Sequence, residues 1–203
     1  MMRIFLAALL LAVTWGWHPQ SAEKNQQNLQ AYSDPDAYEV YAALLPSNST
    51  WGNLKTKSLV IVQETASPDR QGCLPRGKED REIWASVLED YKNQNQTPRL
   101  FSRSFSIDRP YELISRTELS DLFANTTKNL WEGWKSFYSR YPDSDGFIEL
   151  SAVGFNSDKT KAFVYIAHHC GSLCGAGGYT FLEKRDGKWV KASVNASYCG
   201  WIS

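Results

Sequence analysis

An excess of either charge is missing from this 203-residue chain: 22 lysines and arginines stand against 22 aspartates and glutamates. A balanced chain has no field to gather a nucleic acid or an anionic membrane, so neither is expected as a partner. Histidine is scarce, at three residues, and cysteine is limited to four. The cysteines contain no C-x-x-C, which argues against a thioredoxin-like redox motif, and no second ligand pair of structural zinc spacing. No internal repeat and no linker-like stretch divides the chain. After the first residues no apolar run approaches the ~18 that cross a bilayer, so no transmembrane segment is expected there.

What is present begins with a leader. Arg3 precedes an apolar run from Ile4 to Val13, about ten residues, which is the length of a signal h-region. Small residues follow at Gly16, Ser21 and Ala22, and residues 1–22 are expected to be a signal peptide, with Gln20 in place of the usual small residue at −3. No cysteine near the cut provides a lipid anchor. The expected location is therefore exported, periplasmic or secreted. Roughly 180 residues remain, enough for one domain that buries about 70% of its unfolded surface. Cys73, Cys170, Cys174 and Cys199 then lie in an oxidising space, where four cysteines read first as two disulfides with three connectivities open.

Residues 23–36 are polar and aperiodic and read as a flexible leader, with residues 37–203 forming a single domain. Asp34-Pro35 is a helix start ahead of Tyr38, Val40, Tyr41, Leu44 and Leu45. Leu59–Val62 reads as a buried strand. Ser67–Lys78 is a loop carrying Cys73, and Glu79–Lys92 restores helical spacing through Ile83, Trp84, Val87, Leu88 and Tyr91. Tyr111–Ile114 is another short strand. Ser115 and Glu118 form a capping-box pattern before Leu119, Leu122 and Phe123. A further helix runs from about Thr127 to Tyr141 and is broken by Pro142–Gly146.

From Phe147 the period changes to two. Phe147–Phe155, Ala162–His169, Tyr179–Lys184 and Lys188–Val194 are β-runs, and Tyr198–Ile202 is a candidate fifth. Asp186-Gly187 is a tight-turn signal. The expected fold is α+β: N-terminal helices packed on a C-terminal four- to five-stranded antiparallel β-meander.

The run His168-His169-Cys170-Gly171-Ser172-Leu173-Cys174-Gly175-Ala176-Gly177-Gly178-Tyr179 concentrates the unusual residues. On a strand His168 and Cys170 share a face and His169 points away. A metal reading would take His168, Cys170 and Cys174 with Glu183 or water. A thiol-enzyme reading would use Cys170 or Cys174 with a histidine base, but adjacent side chains on a strand face opposite ways. The glycines lack the following helix of a phosphate loop, so they read as positive-φ positions of a wide hairpin loop. The Trp131, Trp134, Tyr138 and Tyr141 stripe reads as a core face; exposed, it would stack on sugars or an apolar ligand. Sequons stand at Asn48, Asn125 and Asn195.

No catalytic residue, metal or cofactor is assigned from these patterns. The candidate ligand loop is His168, Gly175, Gly177 and Tyr179. The expected function is a non-enzymatic domain binding a small molecule or protein. The rival is an extracytoplasmic thiol- or metal-dependent enzyme using His168, Cys170 and Cys174.

Val153-Gly154-Phe155-Asn156, Ala162-Phe163-Val164-Tyr165, His168, Cys170-Gly171-x-Leu173-Cys174-Gly175-x-Gly177, Leu182-Glu183-Lys184, Gly187-Lys188-Trp189 and Trp201-Ile202-Ser203 form an ordered set. With Gly133-Trp134-x-x-Phe137-Tyr138 and Tyr141-Pro142 upstream, roughly residues 110–203 resemble a family of exported bacterial proteins to which no activity is assigned. The resemblance treats Cys170 and Cys174 as a unit, implying a bridge between them. A five-residue hairpin loop brings its ends within the ~4.4–6.8 Å Cα separation required. Cys73 and Cys199, both departures from the family pattern, are then implied to pair with each other.

Overall fold

A computed structural model describes residues 29–45, 57–68, 73–124, 130–197 and 199–203. The expected signal segment, residues 23–28 of the expected leader, and the sequons at Asn48 and Asn125 lie outside the described residues. The elements in chain order are β1 (Ala31–Tyr32), α1 (Pro35–Leu44), β2 (Leu59–Val62), α2 (Lys78–Gln94), β3 (Leu100–Phe101), β4 (Tyr111–Ile114), α3 (Arg116–Ala124), α4 (Leu130–Arg140), β5 (Phe147–Leu150), β6 (Gly154–Phe155), β7 (Lys161–Gly171), β8 (Cys174–Arg185), β9 (Lys188–Lys191) and β10 (Gly200–Ile202). The fold is mixed α and β.

Residues 29–36 belong to the folded body. β1 pairs in parallel with β3, and the Tyr32 side chain is buried beneath the Arg99 guanidinium, 4.4 Å from the ring centroid. The Tyr32 hydroxyl accepts the Val153 N–H at 2.9 Å. A single tyrosine within polar surroundings anchors this stretch, and composition averaged over the window conceals it. Asp34 then caps α1 by accepting from the Asp36 N–H, with Pro35 in the first turn, as the missing proline donor permits.

The main sheet runs β10-β8-β7-β5-β2-β4, with β6 against β7 and β9 against β8. Every pairing among β5 to β10 is antiparallel. The sheet nevertheless extends beyond a C-terminal meander, because β2 joins it in parallel to both β4 and β5. The expected Phe147–Phe155 strand is divided between β5 and β6. Buried Ser151 interrupts it: its Oγ accepts the Tyr165 N–H at 2.9 Å, and its carbonyl accepts the Tyr41 hydroxyl at 2.7 Å.

Helices cover both faces of the sheet. One face packs Leu59, Ile61, Ile148, Leu150, Val164 and Ile166 against the aromatic cluster around α1. On the other face, Val60, Val62, Ile114 and Phe147 meet α3 and α4, while Phe163 and Phe181 meet Trp84 and Tyr91 of α2. The Ser115–Glu118 capping box is formed, Glu118 Oε2 accepting the Ser115 N–H at 3.1 Å and Ser115 Oγ accepting the Glu118 N–H at 3.1 Å. The bond from the Ser115 N–H, joined by one that the Ser115 hydroxyl donates to the same carboxylate oxygen at 3.0 Å, holds the Glu118 pKa below its ordinary value. The α4 stripe is core at Trp134 and Tyr141, joined by Phe137, but Trp131 is 65% exposed.

Cys73 is bonded to Cys199, and Cys170 to Cys174. No cysteine is left free. No helix among the described residues is long and apolar enough to cross a membrane.

Candidate functional site

β7 and β8 form a long hairpin whose register pairs Tyr165 with Tyr179, Ala167 with Gly177 and His169 with Gly175. The expected wide loop from Cys170 to Gly178 is therefore mostly strand, turning at Ser172-Leu173. The Cys170–Cys174 bridge, with Cα atoms 5.0 Å apart, ties the tip. Gly175, Gly177 and Gly178 are not positive-φ positions; Gly146, Gly171 and Gly187 are. Their requirement is proximity. A Cβ on Gly177 would stand 2.5 Å from Trp201 Nε1 and 2.9 Å from Ala167 Cβ, and one on Gly175 would stand 3.2 Å from the Trp201 ring. The glycines let the indole approach the β8 backbone closely, with β10 hydrogen-bonded to β8. Tyr179 is likewise a packing residue: its ring stacks on Phe163, 5.3 Å between centroids, and its hydroxyl donates to the Pro68 carbonyl.

The two histidines part company, as strand periodicity requires. His168 is opposite Ile148 and is 7% exposed. Its Nε2 bonds the Asp145 carbonyl, and a carbonyl only accepts, so that nitrogen carries the proton. Burial presses its pKa below the ordinary value of 6.5. His168, expected in a ligand loop, thus stands buried against the Asp145 carbonyl, on the strand face that it shares with Val164 and Ile166.

His169 is opposite Phe147 on the other face. Its imidazole lies between the rings of Phe147 and Trp201, at centroid distances of 4.8 and 5.3 Å. Nε2 bonds Glu149 Oε2 at 3.0 Å, and Arg116 donates to Glu149 Oε1 at 2.8 Å. The largest single influence on Glu149 is burial, which works upward; the His169 bond and the Arg116 charge together outweigh it and hold the carboxyl below its ordinary value. Beside them the Trp201 N–H donates to the Tyr165 hydroxyl at 2.9 Å, and Tyr138 of α4 donates to the Cys170 carbonyl at 2.8 Å. Buried Glu64, just after β2, accepts the Arg116 N–H at 2.8 Å.

Four groups therefore meet from four elements: Arg116 from α3, Glu149 from β5, His169 from β7 and Trp201 from β10. Their side chains remain partly open, 28% for His169 and 44% for Arg116. The cluster lies near the carboxyl ends of the parallel strands β2 and β4, where open α/β sheets place ligands. Chemically it offers an ion pair, an oriented imidazole and an indole. The imidazole is held by a carboxylate, whereas both sulfurs that would act as nucleophiles are bonded to each other. Glu183, the fourth ligand in the metal reading, is opposite Lys161, toward the far end of β8, and pairs with Arg185. Among the described residues, no group of three or more histidine, cysteine, aspartate or glutamate side chains is placed to hold a metal.

Sequence reasoning gave no site role to Glu149, Arg116, Tyr165 or Trp201, although Tyr165 and Trp201 stand in the ordered set that carries the family resemblance. A charged residue two positions after Phe147 within an apolar β-run was the available signal for Glu149. Arg116 had no local signal, because only the parallel register of β4 brings it to the site. Comparison with protein-family models, curated proteins and solved structures finds no match to this chain.

Protonation gives a direct test of the histidine assignment. A folded-state pKa below 6.5 means that, just under that pH, the unfolded chain binds a proton the folded chain refuses. His168 stability is then present above 6.5 and lost as pH falls. Glu149 adds a loss at lower pH, beginning below its ordinary 4.5. Urea unfolding is expected to show stability falling from pH 7 to pH 5, and His168→Leu is expected to flatten that slope. An unchanged slope in the variant would reject the assignment.

Proposed function

We propose that the chain is an exported, disulfide-framed, non-enzymatic domain that binds a small molecule or protein partner at the hairpin end. Its scaffold is the antiparallel C-terminal run of strands with the N-terminal helices laid against it. The observation that carries this reading is the convergence of Arg116, Glu149, His169 and Trp201 on one partly open sheet face. Two nearly bare aliphatic side chains flank it, Leu173 at the hairpin tip, 87% exposed, and Ile202 on edge strand β10, 83% exposed. Exposed apolar groups beside a polar cluster fit recognition better than turnover. The disulfides fit an oxidising compartment.

A fragment screen read by amide and indole chemical shifts tests the site. Hits are expected to perturb Trp201 and His169 together and to be lost in His169→Ala; perturbations scattered over the surface would count against it. The rival reading, an enzyme using Cys170, Cys174 and His168, is separated by thiol titration and zinc analysis of the unreduced protein. No reactive thiol and no bound zinc are expected. Two thiols, or one zinc per chain, would favour the rival.

A further inference from the structure

A second concavity lies away from the hairpin end. A cleft of about 830 Å³ opens between α1 and the turn into β9, within the range of small-molecule sites. Its α1 wall is Pro35, Tyr38, Glu39, Ala42 and Ala43. These steps of three and four residues form one stripe of a helix. Eight residues at the helical rise make the stripe roughly 12 Å long, about ten bonds of an extended chain. Gly187, Lys188 and Trp189 form the facing wall. Two alanines and a glycine keep the cleft open, while Tyr38 and Trp189, both largely buried, contribute aromatic surface.

Its charges are unevenly satisfied. Glu39 is engaged by Lys184 at 2.9 Å. Lys188 is exposed on the opposite wall, and no acidic partner engages it among the described residues. The cleft, which Ser33, Ser104 and Ser106 also line, therefore sets the apolar residues Pro35, Tyr38, Ala42, Ala43 and Trp189 beside one uncommitted cation. A cationic ligand would meet Lys188 with the nearby carboxylate already taken, and a neutral chain would leave Lys188 unused.

We propose that this cleft binds an amphiphile with a single anionic head, a fatty-acid-like carboxylate. Its chain lies along Tyr38, Ala42 and Ala43, and its head pairs with Lys188. Nothing in this assignment depends on the hairpin-end site.

Calorimetric titration of the full chain with octanoate, decanoate and dodecanoate, each below its micelle concentration, tests it. Saturable binding is expected, weakening about fourfold for each methylene removed. Ala43→Trp, at an exposed helix position, fills the cleft and is expected to abolish dodecanoate binding. Lys188→Glu is expected to weaken decanoate about fivefold and to leave 1-decanol unchanged. Far-UV circular dichroism verifies that both variants are folded. Absence of saturable heat, a flat chain-length series, or indifference to Ala43→Trp would overturn the site. Equal effects of Lys188→Glu on decanoate and decanol would overturn the anionic assignment.

Discussion

Replacing Cys73 and Cys199 together by alanine is expected to cost about 5 kcal/mol, against about 2 kcal/mol for the Cys170–Cys174 pair. The difference follows from the lengths of chain closed, sequence separations of 126 and 4, because a cross-link stabilises chiefly by restricting the unfolded chain. For a domain of this size, 5 kcal/mol lowers the melting midpoint by roughly 10–20 °C. Packing adds to the loss. Cys73 is fully buried beside Trp84 and Val87, with Cys199 against the same cluster. The bridge also reinforces an existing pairing, since Arg76 N–H donates to the Asn195 carbonyl and Ser197 N–H to the Leu74 carbonyl.

The consequence reaches the site. β10 contributes only three residues, Gly200 to Ile202, to the sheet, and Cys199 is the residue before it. Without the bridge Trp201 is expected to leave His169 and the Tyr165 hydroxyl, seen as a change in indole shift before global unfolding. Cys170→Ser with Cys174→Ser is expected to loosen the hairpin tip and leave the sheet folded. Thermal melts of the two double variants decide the order. A greater loss from the short bridge would contradict it.

Much of the scaffold was legible because its signals are local. The capping box at Ser115 needs four residues to read. Asp186 and Gly187 both adopt positive φ, as a two-residue hairpin turn of primed type requires. Period-two alternation placed His168 and His169 on opposite faces, and the structure does so. What alternation cannot say is how tightly each face is closed at a given residue. His168 meets the Asp145 carbonyl and is 7% exposed, whereas the His169 side chain beside Trp201 stays 28% exposed, and both surroundings come from segments distant in sequence, so sequence singled out the histidine that is buried. The glycines of β8 were misread for a similar reason: their requirement is the indole of Trp201, which meets them only after β10 pairs with β8. The parallel contacts of β2 were likewise hidden, because a four-residue strand buried throughout carries no sign of partners more than fifty residues away. Arg116–Glu149 exists only once those registers are set.

Gly146→Ala is expected to be the most damaging single substitution considered, costing about 3 kcal/mol or more and lowering the melting midpoint by roughly 6–12 °C. Gly146 has φ +95°, and a Cβ there would fall on the His169 carbonyl oxygen, 2.8 Å from its carbon and 2.9 Å from Cys170 Cα. The obstruction is backbone, which no rotamer change relieves. Gly187→Ala supplies the control: φ is +75°, yet nothing lies within 4 Å of the added carbon. It is expected to cost about 1 kcal/mol, the conformational part alone. The difference between the two variants then measures the close approach of the segment entering β5 to the end of β7. That approach also carries the bond between His168 and the Asp145 carbonyl and the Phe147–His169 stack. Gly146→Ala is therefore expected to shift the His169 ring resonances, and Gly187→Ala to leave them in place. Equal melting midpoints, or an undisturbed His169 in Gly146→Ala, would mean that this turn does not position the imidazole.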